Sequence, residues 1–192
     1  MVHNTPLLRR LRHNEYQRLG MLGTRVGGPT GYYLGRSLVH PRFQQIVESL
    51  HPSYERLMAM EPISGSAPKD RVNGIYLFSE GDQHLYVGRA KDITNRYDWH
   101  CIPASDYNRA SFAFKLAREA TGNPQPSYQK GDKSRAGLML DPDFIAAFKE
   151  AKARIRRMSF RYVSEPNPTR QALLEAYVCI VLQTPYNDFN TH

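Results

Sequence analysis

The stretch "NGIYLFSEGDQHLYVGRAKDITNRYDWH", Asn73 to His100, decides how the rest of the chain is read. Two short runs rich in aromatic and aliphatic residues, "GIYLF" (Gly74 to Phe78) and "HLYVG" (His84 to Gly88), enclose the turn-forming "SEGDQ", the pattern of a β-hairpin. Directly behind them "AKDITNRYDWH" begins a helix, with Asp92 as its candidate N-cap. Tyr76 and Tyr86 stand ten residues apart at matching ends of the strands, and Arg96 and His100, four residues apart, share one helical face. The stretch is either an ordinary hairpin feeding a helix or one wall of an active site.

Downstream, "RASFAFKLAREATG" reads as a second helix closed by Gly122. "NPQPSYQKGDKSRAGLM" (Asn123 to Met139) has the composition of an exposed loop, and "DPDFIAAFKEAKARIRR" (Asp141 to Arg157) is a helix with a basic end. "MSFRYVSE" alternates like a strand, and "NPTRQALLEAYVCIVLQ" is a final helix capped by Asn167 with Pro168 in its first turn. Upstream, His40 to Met60 reads as one or two amphipathic helices, interrupted or restarted at Pro52. Glu61 to Asp70 reads as a linker. The order hairpin, helices, strand, helix argues for an α+β fold, a small sheet with helices packed on it. The expected division is a basic N-terminal arm and helical extension over 1–70, then a domain over 71–192.

Of 192 residues 41% are hydrophobic and 11% aromatic, enough for a packed core. Lys+Arg 26 against Asp+Glu 18 gives a net charge of +8, which suits a polyanionic partner and equally a well-solvated surface. Cys101 and Cys179 lie far apart, which argues against a disulfide framework or a cysteine-based zinc site. The N-terminus has no apolar segment behind its arginines, so no secretory signal is expected. The most apolar run, Ala172 to Leu182, is too short to span a bilayer. A cytoplasmic protein without a membrane partner is the expectation.

Glu175 is the sharpest anomaly. It is the one charge between Ala172 and Leu182, and its helical neighbours Ala172, Val178, Cys179 and Leu182 are apolar or nearly so. A carboxylate there needs a cation, a donor or water. One reading is a structural ion pair with an arginine such as Arg96, Arg161 or Arg170. The other is a metal ligand, since a hard carboxylate suits Mg²⁺. Arg96 is suited to gripping a phosphate and His100 to moving a proton, although a surface arginine and a capping histidine are commoner outcomes. Tyr76 and Tyr86 read equally as half-buried strand residues. Gly88 beside Arg89 offers a close backbone approach next to a positive charge, which would help hold a phosphate.

Taken together, these pieces resemble the GIY-YIG nuclease family. "GIY" stands at Gly74 to Tyr76, "YVG" at Tyr86 to Gly88 in place of the usual YIG, Arg96 and His100 follow on a helix, Glu175 lies on the last helix, and Asn187 comes after it. The resemblance covers roughly residues 72–190, with a long insertion around 101–157. The family position of His100 is a tyrosine in some relatives. What the resemblance implies is an antiparallel three-stranded sheet flanked by helices, and a metal-dependent DNA endonuclease leaving 5′-phosphate and 3′-hydroxyl ends. Glu175 would bind Mg²⁺, with Mn²⁺ able to substitute. Tyr76, its proton drawn toward His100, would act as general base, and Arg96 would neutralise charge on the phosphate. Tyr86 would position water or phosphate, Arg89 would hold a neighbouring phosphate, and Asn187 would support the site.

The visible organisation resembles the restriction or defence branch, with the arm (Arg9, Arg10, Arg12, Arg18, Arg25) wrapping DNA or a second subunit, or else a solvated tail. Cutting both strands would call for a homodimer or two successive events. The alternatives are a catalytically inactive DNA-binding module, and an α+β domain whose motif match is accidental. "KEAKARIRR" (Lys149 to Arg157) is either a DNA-backbone track or a solvated helix face.

Overall fold

The computed structural model describes residues 39–124 and 131–187, so the expected basic arm lies outside the described residues. Val39–His192 forms one compact unit. Two helices, α1 (Pro41–Glu48) and α2 (His51–Ala59), precede the hairpin of β1 (Gly74–Glu80) and β2 (Gln83–Ala90). Then come α3 (Ile93–Cys101), α4 (Ser111–Ala120), the one-turn α5 (Arg135–Leu138), α6 (Pro142–Arg157), β3 (Ser159–Ser164) and α7 (Pro168–Leu182). The fold is α+β, with a three-stranded antiparallel sheet in the order β2-β1-β3.

Strand β1 is central, and every residue from Gly74 to Ser79 is buried. Its alternation sends side chains to opposite faces. Tyr76 and Phe78 join a core with Phe112, Phe144, Ile155 and Phe160, built on α3, α4 and α6. Ile75 and Leu77 join a second core with Leu57, Val87, Leu174 and Val178. Helices on both faces explain why the "GIYLF" run is apolar without a break. Leu57 of α2 is fully buried, a burial worth about 1.5–3 kcal/mol. Of the two helices expected in an extension ending at residue 70, α2 packs into the core through Leu57, whereas α1 buries no residue.

The segment 61–70, read as a linker, also packs: Ile63 forms an isolated bridge with Phe160, through hydrogen bonds of 3.0 and 2.8 Å. It covers the outer edge of β3. On the opposite edge, Ser79 pairs with His84 and Phe78 with Tyr86, leaving Leu85 as the extra residue of a bulge. The Leu85 carbonyl accepts from the Tyr186 amide at 3.2 Å. Both sheet edges thus find partners, which blunts a template for unwanted pairing.

Asp92 caps α3 by accepting from the Asn95 amide, and Asn167 caps α7 by accepting from Thr169 and Arg170. Pro52 falls in the first turn of α2, so the chain does restart there. Within the expected exposed loop, Ser134 Oγ accepts from the Gly137 amide and starts α5, whose Leu138 is buried. That anchor was hidden by the polar composition around it. Cys101 and Cys179 are both free and buried. Among the described residues no helix is long and apolar enough to cross a membrane.

Candidate active site

Tyr76 opposes Gly88 in the β1–β2 register, and its ring extends over that glycine. A Cβ on residue 88 would lie 2.3 Å from Tyr76 Oη and 2.5 Å from Cζ, so no other residue fits beneath the phenol. The space expected to admit a phosphate at Gly88 is filled by Tyr76 instead. The hydroxyl shares a 3.0 Å hydrogen bond with His100 Nε2. His100, one turn beyond Arg96 on α3, is fully buried and its Nδ1 has no hydrogen-bond partner among the described residues.

Burial first, then the charges of Arg96 and Lys152, push the basicity of His100 down to about 3. The imidazole is therefore neutral at physiological pH. Burial likewise holds the Tyr76 hydroxyl well above its usual value, with Tyr86 and Glu175 raising it further and Arg96 opposing. Both shifts keep Tyr76 a neutral phenol and His100 a neutral imidazole. Tyr86 is also raised by burial; it stacks on Phe112 at 4.7 Å and lies 3.5 Å from Ser111 Oγ.

Glu175 arrives from α7 on the other side of the sheet. Arg89 shares strand parity with Val87, which packs in the core beneath α7, so its side chain reaches the same side. Arg89 Nε lies 3.1 Å from Glu175 Oε2. The carboxylate has a charged partner, but none of Arg96, Arg161 or Arg170. Arg161 donates to the Met60 carbonyl at 2.9 Å, and Arg170 pairs with Glu165 at 3.0 Å. Burial still raises the Glu175 pKa against the opposing pull of Arg89 and Arg96. Glu175 and Arg96 both act electrostatically on the hydroxyls of Tyr76 and Tyr86, Glu175 opposing their ionisation and Arg96 favouring it.

Asn187 does not touch the cluster. Its amide closes a two-point bond with the edge of β2: Val87 N donates to Oδ1 at 2.9 Å, and Nδ2 donates to the Val87 carbonyl at 2.7 Å. It fixes the residue between Tyr86 and Gly88. Beside the cluster opens a cleft of about 700 Å³ lined by Arg89, Lys91, Arg96, Trp99 and Gln171.

Among the described residues, no three His, Cys, Asp or Glu side chains gather as metal ligands. Glu175 alone is a donor set unsuited to structural zinc but suited to Mg²⁺ or Mn²⁺, ions that take one or two carboxylates and complete their shell with water and phosphate oxygens. The basic end of α6 is spent on neighbours: Arg154 pairs with Glu80, Arg157 with Glu150, and Arg156 donates to the Gly65 carbonyl. The ion pair expected of Glu175 with an arginine is present, and its partner is Arg89, which the examples named from sequence did not include although strand parity signals it. The sequence reading missed Lys152, whose position near His100 no pattern announces. No protein-family model matches the chain, and no curated protein or solved structure matches it either.

Proposed function

We propose that this chain is a Mg²⁺-dependent endonuclease of the GIY-YIG type, hydrolysing DNA phosphodiester bonds to 5′-phosphate and 3′-hydroxyl ends. The observation that carries the reading is the buried Tyr76–His100 hydrogen bond placed within electrostatic reach of Arg96 and Glu175. A structural ion pair accounts for Glu175 and Arg89. It does not account for a buried tyrosine–histidine pair next to them.

Glu175 would hold the divalent ion, which when bound supplies Lewis-acid polarisation of the phosphate and stabilises the leaving oxygen. Because burial holds Tyr76 well above its ordinary value, a free phenolate is not the base. Tyr76 instead passes its own proton to His100 Nε2 as it takes one from the attacking water. Burial and the positive charges of Arg96 and Lys152 make His100 a poor acceptor, and negative charge growing on the phosphate raises its basicity. Arg96 faces that charge. Arg89 holds Glu175 through Nε and keeps its other guanidinium nitrogens for a phosphate oxygen. Asn187 holds the "YVG" strand in place through Val87. A restriction or defence role, and a homodimer for two-strand cutting, are extensions of this proposal.

The Arg89–Glu175 pair also favours a second reading, an inactive DNA-binding module whose carboxylate is already neutralised. Plasmid cleavage with Mg²⁺ or EDTA, comparing the wild type with Glu175→Gln, separates the two. Metal-dependent cutting that falls by about 10²-fold or more in the variant, with DNA binding retained, is the expected result. Binding without cutting by the wild type selects the inactive module. Absence of both sinks the DNA reading.

A further inference from the structure

The basic lining of the cleft does not end at Arg96. Trp99 lies one turn along α3, and its ring carries two guanidinium groups, Arg96 at 5.0 Å and Arg109 at 4.9 Å from the centroid. Arg109 belongs to the segment between α3 and α4, outside every motif considered so far. Among the described residues neither arginine forms an ion pair with a carboxylate. The nearby Asp106 side chain accepts from the Asn108 amide instead. Two like charges share one ring; the Glu175 carboxylate bears on Arg96 from a distance, no carboxylate pairs with Arg109 among the described residues, and the ring offsets only about 0.5–1 kcal/mol for each. A phosphate supplies the missing charge in a geometry that a planar fork recognises.

The segment that presents Arg109 is tied down at several points. Ser105 Oγ donates to the Trp99 carbonyl at 2.5 Å, and Lys152 Nζ donates to the carbonyls of Pro103 at 3.1 Å and Ser105 at 2.6 Å. Lys152 is itself buried, so its ammonium is committed to this loop. Arg96 Nη1 reaches the Arg109 carbonyl at 3.5 Å. The backbone that presents the two guanidinium groups is therefore tied in place by side-chain hydrogen bonds.

We propose that Arg109, with Arg96 on the same tryptophan, forms a second phosphate site that takes a DNA backbone phosphate outside the bond being cleaved. Trp99 is the positioning residue. The inference rests on the reading of the site as DNA-acting, but not on its cutting. The test is binding of a labelled short duplex to the full-length Glu175→Gln protein over a series of KCl concentrations, adding Arg109→Gln, Trp99→Leu, Trp99→Phe or Arg157→Gln. Arg109→Gln is expected to weaken binding by about 3- to 10-fold and to lower the salt slope by about one. Trp99→Leu should reproduce the lowered slope and add little to Arg109→Gln, whereas Trp99→Phe should restore it. Arg157, paired with Glu150, should leave it unchanged. An unaltered slope in Arg109→Gln overturns the site, and so does a duplex that never binds. If DNA binds with the expected slopes but wild type never cuts, the phosphate site stands and the nuclease reading falls.

Discussion

Replacing His100 by glutamine and following stability against pH probes the feature on which the proposed chemistry depends. His100 is fully buried, and the charged and titratable groups facing it come from every side: Tyr76 of β1, Tyr86 of β2, Arg96 of α3 and Lys152 of α6. Its basicity falls from an ordinary 6.5 to about 3, first through burial, then through Arg96 and Lys152. A base depressed in the folded state refuses a proton that the unfolded chain accepts. Its contribution is thus fully present above pH 6.5 and is lost as the pH falls from there toward 3. Within that window each pH unit is worth about 1.4 kcal/mol, so lowering the pH from 7 to 5 should cost roughly 2 kcal/mol. Glutamine keeps a polar group within reach of Tyr76 Oη but does not titrate. Urea unfolding of both proteins at pH 7 and pH 5, at fixed ionic strength, isolates the term, because every other group, including the partly buried His84, titrates in both. The expected outcome is a wild-type loss exceeding the variant's by roughly 2 kcal/mol. Parallel losses would falsify the description of His100 as a buried neutral acceptor, and with it the proton relay.

Two further substitutions test how the sheet holds the cluster. Gly88→Ala places a methyl group 2.3 Å from Tyr76 Oη, so the phenol must shift and its bond to His100 must stretch; urea unfolding should show a loss of about 1–3 kcal/mol, and unchanged stability would mean the ring does not lie on residue 88. Asn187→Ala strips the partners from both Val87 backbone groups at the β2 edge. A loss of about 1–3 kcal/mol is expected, with faster hydrogen exchange at the Val87 amide; exchange as slow as in wild type counts against the tether.

How much of this was legible differs between strands and their surroundings. The hairpin could be read because its aromatic runs and its turn are local features, and the caps Asp92 and Asn167 for the same reason. That β3 pairs with β1, placing Tyr76 at the centre of the sheet, is a long-range choice that no local pattern encodes. The segment 61–70 does join α2 to the hairpin as a linker, and its bridge to Phe160 was not legible because it is made by backbone groups, which any sequence carries. Composition sees only the Pro, Gly and Ser around it.

The site divides along the same line. Arg96 and His100 were readable as one helical face, and Glu175 as a charge that needed company. An arginine partner was readable too, but not that it is Arg89, because helix periodicity around Glu175 says nothing of which strand residue lies beneath it. Counting alternate residues along β2 puts Arg89 on the side of Val87, and hence beneath α7. Gly88, one residue earlier, carries no side chain, and Tyr76 from the neighbouring strand occupies that space. The "YVG" triplet therefore makes a structural sense separate from any phosphate. Its tyrosine stacks on Phe112, its valine ties β2 to Asn187 and to the core under α7, and its glycine gives Tyr76 room to reach His100. Two of the three residues, Tyr86 and Gly88, pack against Tyr76 on one face of the sheet, and Val87 secures the same strand from the other, so the triplet holds the partner strand of the buried hydroxyl in place.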